Sequence, residues 1–281
     1  MSARAPKTPA AVDPDLAELG GEAGGGREQR GIQSVEVGGQ LLRALAHHGR
    51  PMALKDLARE AGMVGAKAHP YLVSFGKIGL IEQDKTSGRY GLGPLALQLG
   101  LMGLHQADPV RIAAAQLPEL AQLTGQTVAL AVWGNRGPTI VMVEESPQVL
   151  HVNMNHGTVF SIADTASGRL YGAYLPKEVV KPMYEQERRS GAHGALPTWQ
   201  EFTASLAEVR EQGLSRTEGS VVAGVSAMSA PVFDHRGQIV LAITAIGTAP
   251  SFDTRWDGAL AQALRQSGAA VSERLGWRAG G

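Results

Sequence analysis

Apolar positions recur with helical spacing through the first half of the chain and with alternating spacing through much of the second. Leu41, Leu42, Leu45 and Ala46 fall on one face of a helix that opens near Ser34, read as its N-cap, and ends near Gly49. Leu54, Leu57 and Ala58 mark a short second helix, with Gly62 past its end. A third helical stretch carries Tyr71, Leu72, Phe75 and Ile78. Residues 80–81 and 89–92, joined by a turn at Lys85-Thr86-Ser87-Gly88, read as a β-hairpin. Helix, short helix, helix, hairpin is the order of a winged helix-turn-helix.

After the hairpin, residues 94–106 (PLALQLGLMGLHQ) leave no polar face. A helix apolar all round must be covered, by a domain core, between domains or by another subunit. Asp108 then caps a helix with Pro109 at its first position, and Pro118 is expected to bend or interrupt it. Strands follow at 127–133 and 139–143, and a third is expected over 148–154 with Leu150, Val152 and Met154 on one face. Helices are expected after Thr165, after Pro176, and from the capping box Thr198-x-x-Glu201 to Gly213. Strands at 226–233 and 238–247 flank the turn Asp234-His235-Arg236-Gly237, and Asp253 is read as the cap of a last helix. Antiparallel strand pairs with helices grouped between and after them predict an α+β domain.

The expected organisation is a disordered Gly/Ala/Pro-rich tail over 1–30, a DNA-binding domain over 31–93, a linker helix over 94–107 and a sensor domain over 108–277. The net charge is zero, so any nucleic-acid surface is local. Residues 31–93 carry eight Lys/Arg against five acids. That excess is modest, and the order of elements favours DNA more than the charge does. With no cysteine, disulfides, thiolate metal sites and Cys nucleophiles are excluded. No signal core or run of ~20 apolar residues is present, so no membrane partner and a cytoplasmic protein are expected.

Catalytic chemistry finds little support. His47, His48, His151, His156, His193 and His235 lack metal-ligand spacing. Gly224-Val225-Ser226-Ala227-Met228 lacks the last glycine of a nucleophile elbow and leads into a strand. No phosphate-binding loop occurs, so neither an enzyme nor a cofactor is expected. One feature stands out. Thr165-Ala166-Ser167-Gly168 opens a helix, where free N–H groups suit an anion and where simple capping by Thr165 is the plainer alternative.

The stretches GIQSVEVGGQLLRAL, ALKDLAREAGM, KAHPYLVSF, GLIEQD and SGRYGLGPLALQLG resemble the DNA-binding domain of the IclR (isocitrate lyase regulator) family of bacterial transcriptional regulators. TASGRLYGAYLP, VREQGLS and EGSVVAGVSAMSAPVFDHRGQIVLAITAIG resemble its C-terminal domain, and the match spans about residues 31–275. The resemblance implies a winged helix-turn-helix, a linker helix and a GAF-like effector-binding domain with an antiparallel sheet. It implies homodimers, or tetramers as dimers of dimers, on double-stranded operator DNA that a small organic effector modulates. It places the effector at Ala166 and Ser167, with Thr217 and Glu218 on the loop before the second hairpin, Val225 and Ala227 on that hairpin's first strand, Thr244 and Ile246 on its second, and Val152 and Phe160 as apolar wall. With hydroxyls, one acid and no Arg or Lys, such a pocket suits a small aromatic or short-chain acid, or a related amide.

One departure matters. The family commonly presents His then Arg on its recognition helix, and here His69 is followed by Pro70. A proline there removes a hydrogen bond and costs ~3 kcal/mol if unrelieved, so the helix is expected to start late or kink. Gly65 also stands where a polar side chain would help. Lys67, His69 and Tyr71 are then the candidate DNA contacts on this helix, with Lys55 on helix two and Lys85 and Arg89 on the wing holding phosphates. The alternative is a small-molecule sensor whose DNA binding Gly65 and Pro70 have impaired.

Overall fold

A computed structural model of the chain describes residues 31–146, 155–191, 195–219 and 224–278. The expectations for the tail over 1–30, the strand over 148–154, Val152, His151 and His193 lie outside these residues. The chain divides into two compact units, one ending at Leu99 and one starting at Gly100. The fold is mixed, helical at first and then antiparallel sheet with helices.

The first unit contains α1 (Gln33–His48), α2 (Leu54–Glu60), α3 (Gly65–Lys77), β1 (Ile81–Gln83) and β2 (Tyr90–Leu92). Leu41, Leu45, Leu57, Leu72 and Ile81 meet in its core. β1 and β2 pair antiparallel, with Glu82 opposite Gly91. Backbone bonds between Met52 and Tyr90, 2.9 and 2.8 Å, tie the chain before α2 to this wing. At the wing tip, Asp84 accepts bonds from the Ser87 and Thr86 backbone N–H groups and from the Ser87 hydroxyl. The Ser87 bonds come first in holding its carboxyl below the usual range.

Two expectations for this unit change. Ser34 does not cap α1: the helix already runs from Gln33 after an extended Ile32, with no side-chain cap. Nor does Pro70 delay α3, which runs from Gly65 with the proline inside it. Ala66, whose carbonyl loses the Pro70 partner, and Pro70 itself are both exposed, so water can satisfy the freed oxygen.

α4 (Pro94–Gln106) follows, and the division between units falls inside it. It has no buried residue. Leu97, Leu99, Leu101, Met102 and Leu104 are 42–65% exposed, so a single chain does not cover this helix.

Among the described residues, the second unit is built on a five-stranded antiparallel sheet in the order β4-β3-β7-β6-β5. Its strands are β3 (Thr127–Gly134), β4 (Gly137–Glu144), β5 (Ser215–Glu218), β6 (Val225–Phe233) and β7 (Ile239–Thr248). On one face Val128, Leu130, Met228, Val232 and Ile243 pack with α5 (Pro109–Ala114), α6 (Leu117–Thr124) and α11 (Ala259–Arg274). The other face carries α7 (Ala166–Tyr174), α8 (Lys177–Ser190), α9 (Trp199–Ser205) and α10 (Ala207–Gln212). Residues that pair across strands share a face, and the alternation along each strand sorts these two sets.

Several local signals act as read. Asp108 accepts from the Arg111 N–H at 3.1 Å. The helix is interrupted as expected: α5 ends at Ala114 and α6 starts at Leu117, with Pro118 in its first turn. Thr198 and Glu201 form a full capping box. Asp253 does not cap α11: its carboxylate holds the Arg255 side chain and backbone N–H, and α11 starts later, after Gly258. Among the described residues no helix is long and apolar enough to cross a membrane.

Candidate functional site

The first unit presents a basic face around α3. Ala68 and Leu72 are buried, so the exposed side of the helix carries Lys67, His69, Pro70 and Val73. Lys55 on α2 and Lys85 at the wing tip are exposed too, and none of Lys55, Lys67 and Lys85 enters an ion pair among the described residues. Arg89 is exposed but already donates to the Pro51 carbonyl, 3.4 Å away. Tyr71 does not join this face. Its ring packs against α1, close enough that a Cβ on Gly38 would lie 3.0 Å from it. Of the six expected DNA contacts, Lys55, Lys67, His69, Lys85 and Arg89 are exposed and Tyr71 leans on α1.

In the second unit, α7 sets the site. Thr165 caps it by accepting from the Gly168 N–H at 3.0 Å, and its own hydroxyl donates to the Ser161 carbonyl at 2.7 Å. The first-turn N–H groups of Ala166 and Ser167 have no partner within the helix. Glu187 of α8 holds the approach to α7. It accepts from the Ser161 hydroxyl and from the Ile162 N–H, the latter at 2.8 Å. Tyr171 anchors the next turn, donating to the Ala131 carbonyl at 2.7 Å. Burial pushes its phenol well above the ordinary range, so it stays a neutral donor. On α8 the Tyr184 phenol is likewise pushed up to about 12 by burial.

Ser167 lies against a row of hydroxyls running across the sheet. Its Oγ is 2.9 Å from Thr244 Oγ1, which is 2.8 Å from Ser229 Oγ. Ser215, Ser229, Thr244 and Ala129 are successive cross-strand partners. The three hydroxyl residues of that row and Ser167 are all 0–2% exposed. The Ser215 hydroxyl has no hydrogen-bond partner among the described residues. Two residues along, Thr217, Ala227, Ile246 and Thr127 form the next row on the same face, and Val225 continues it.

The geometry brings together Ala166, Ser167, Thr217, Val225, Ala227, Thr244 and Ile246. It leaves out two expected residues. Thr217 and Glu218 lie on the edge strand β5 and not on a loop, so consecutive side chains take opposite faces. Glu218 instead lies 3.7 Å from Arg216, whose guanidinium sits 4.2 Å over the Trp256 ring on the α11 side. Phe160 bonds through its N–H to the Pro138 carbonyl and, with Arg136, Met183 and Glu187, lines a cavity of about 540 Å³ that none of those seven residues lines. Ser229 and Ser215 were missed. The alternation on β6 carries the signal for Ser229, two positions beyond Ala227.

The hydroxyl row makes a prediction. Thr244→Val keeps the volume and leaves Ser167 and Ser229 without their shared partner. Each stranded buried hydroxyl costs about 1–3 kcal/mol. Calorimetry should show a melting point lower by roughly 2–4 °C per kcal/mol. An unchanged melting point would mean that the row is open to water.

Comparison with known proteins agrees with both units. The model of the IclR helix-turn-helix domain matches residues 34–85, and that of the bacterial transcriptional regulator IclR C-terminal domain matches residues 102–273. The glycerol operon regulatory protein of Streptomyces griseus is 32% identical over 88% of this chain and 98% of its own. The transcriptional repressor IclR of Escherichia coli is 23% identical over 77% of this chain and 80% of its own. The crystal structure of Pseudomonas aeruginosa HmgR superposes with a TM-score of 0.81 at 34% identity, covering 88% of this chain and 99% of that one. The chain thus belongs to the IclR family of bacterial transcriptional regulators, a DNA-binding protein with a C-terminal effector-binding domain and not an enzyme.

Proposed function

We propose that this protein is a homodimeric operator reader, acting in the cytoplasm, whose DNA affinity is set by a small aromatic or short-chain carboxylic acid, or a related amide. The observation that carries the effector class is the site at α7. Unpaired first-turn N–H groups and the Ser167–Thr244–Ser229 hydroxyls supply donors for one polar end of a ligand. Val225, Ala227 and Ile246 supply an apolar surface beside them. With Glu218 turned to the other face, the site keeps no side-chain charge. A singly charged or neutral head fits such a place better than a polyacid, whose further charges would be desolvated without partners.

The dimer is supported by α4. It carries exposed leucines on all sides and no Asp, Glu, Lys or Arg. Its partner is a second copy of the same helix. Helix-turn-helix readers use two-fold symmetry to engage two half-sites one helical turn apart, and α4 directly follows the DNA-binding unit. On the operator, Lys67 and His69 contact the groove, while Lys55, Lys85 and Arg89 hold phosphates. The continuous α3 and its exposed cations weigh against the reading in which Gly65 and Pro70 have impaired DNA binding.

Selection from a pool of random duplexes, followed by a salt series, tests this reading. A two-fold site should be enriched, with log affinity falling linearly against log salt. Lys85→Ala should weaken binding on every sequence and flatten the slope by about one for each half-site. Adding monocarboxylic acids should shift that affinity and raise the melting point of the C-terminal unit. Failure to enrich any site would sink the operator reading. A response to polyacids alone would sink the effector class.

A further inference from the structure

We propose that this protein reads its operator chiefly through thymine methyl groups, which meet Ala66, Pro70 and Val73 of α3 in the major groove. The inference rests on the operator-binding reading above and names the bases that it selects.

The orientation of α3 is fixed by what it buries. Ala68 and Leu72 sit in the core, and Tyr71 and Phe75 lean on Gly38 of α1. The stripe opposite them, at helical spacing, is Ala66, Pro70, Val73 and Lys77, all exposed. The first three side chains hold no hydrogen-bond donor or acceptor. The proline also lacks a backbone N–H.

The composition of the helix sharpens the point. Gly65–Lys77 reads GAKAHPYLVSFGK and contains no Arg, Asn, Gln, Asp or Glu. Apart from Lys, those are the side chains that pair with guanine or adenine through two bonds, or accept from cytosine. Ser74 flanks the stripe, but its hydroxyl proton goes to the Pro70 carbonyl at 3.0 Å. Lys67 and His69 remain as polar readers at the margins. Thymine alone projects an apolar group, its 5-methyl, into the major groove. An apolar stripe there discriminates by burying that methyl, and flanking cations hold the helix on the backbone.

Replacing thymine by deoxyuridine isolates the methyl, because uracil keeps every hydrogen-bonding group. The full-length protein would be titrated against its selected duplex and against the same duplex with uracil at each thymine. Affinity should fall roughly fourfold for each contacted methyl, and roughly fifteenfold for two. Val73→Ala should weaken binding to the thymine duplex and shrink the thymine-to-uracil ratio. Lys85→Ala should weaken both duplexes equally and leave the ratio intact. Salt-dependent binding with equal affinity for the two duplexes overturns the inference and leaves the operator reading standing, as does a selected site without thymine in its half-sites. Absence of any duplex binding overturns both.

Discussion

Leu97→Glu combined with Leu101→Glu is expected to turn the protein into a monomer and to cut its operator affinity by a hundredfold or more. Both residues lie on one stripe of α4, with Leu104 a further turn along, and they are 65% and 57% exposed. Burying a leucine contributes about 1.5–3 kcal/mol, and a two-fold interface counts each twice. The glutamates remove that gain and set like charges against each other across the axis. DNA affinity then drops because two tethered half-site contacts become two independent ones, and tethering alone is worth about 10²–10⁴ in affinity. Analytical ultracentrifugation and operator titration read the two effects separately. A double variant that sediments as a dimer would place the dimer contact elsewhere. A monomer with undiminished affinity would mean that one DNA-binding unit suffices.

The first unit was largely legible in the sequence because its signals are local. Leu41 and Leu45 on α1, Leu54 and Leu57 on α2, and Leu72 and Phe75 on α3 fall at helical spacing, Gly49 closes α1 in the left-handed conformation, and the wing starts four residues after α3. What escaped was the rotation of α3. Tyr71 has the chemistry of a DNA contact, but it lies one residue from buried Leu72 and three from Ala68, so packing on Gly38 claims it. Pro70 is expected to delay the helix or to kink it, and the start at Gly65 removes the first of these. The cost depends on whether water reaches the orphaned carbonyl, which only the exposure of that face decides.

The sheet tells a different story. β6 and β7 are long and apolar enough to announce themselves, while β5 is not. Ser215-Arg216-Thr217-Glu218 has no alternating apolar pattern between its flanking glycines, and pairing with β6 makes it a strand. The expectation that groups adjacent Thr217 and Glu218 at one site supposes a loop, and an extended backbone turns the two to opposite faces. The hydroxyl row was hidden for the same reason. Ser215, Ser229 and Thr244 are far apart in sequence and meet only through register, whereas Ser167 could be picked out because a helix start is a local signal.

Gly168→Ala should be the most damaging single methyl in the second unit, destabilising it by about 3 kcal/mol or more. A Cβ at this position would lie 2.1 Å from the Ser161 carbonyl oxygen and 2.6 Å from the Ile162 Cα. Both are backbone atoms, so no rotamer change relieves the clash. Nor can the strand of chain give way easily. Glu187 grips Ser161 and Ile162, and the Thr165 hydroxyl ties the Ser161 carbonyl to the start of α7. The methyl must therefore push α7 outward, which takes Ser167 away from Thr244 and, with it, the donors that the proposed effector would use. Gly39→Ala is the matched control. It too lies inside a helix, nothing lies within 4 Å of its added methyl, and alanine there should be neutral or stabilise by about 0.5–1 kcal/mol. Thermal melts of both variants, with and without the effector, separate the two effects. Loss of the effector's stabilisation in Gly168→Ala, with salt-dependent DNA binding retained by the first unit, is the expected pattern. A Gly168→Ala protein that melts like the native one and still responds to effector would show that α7 does not set the site.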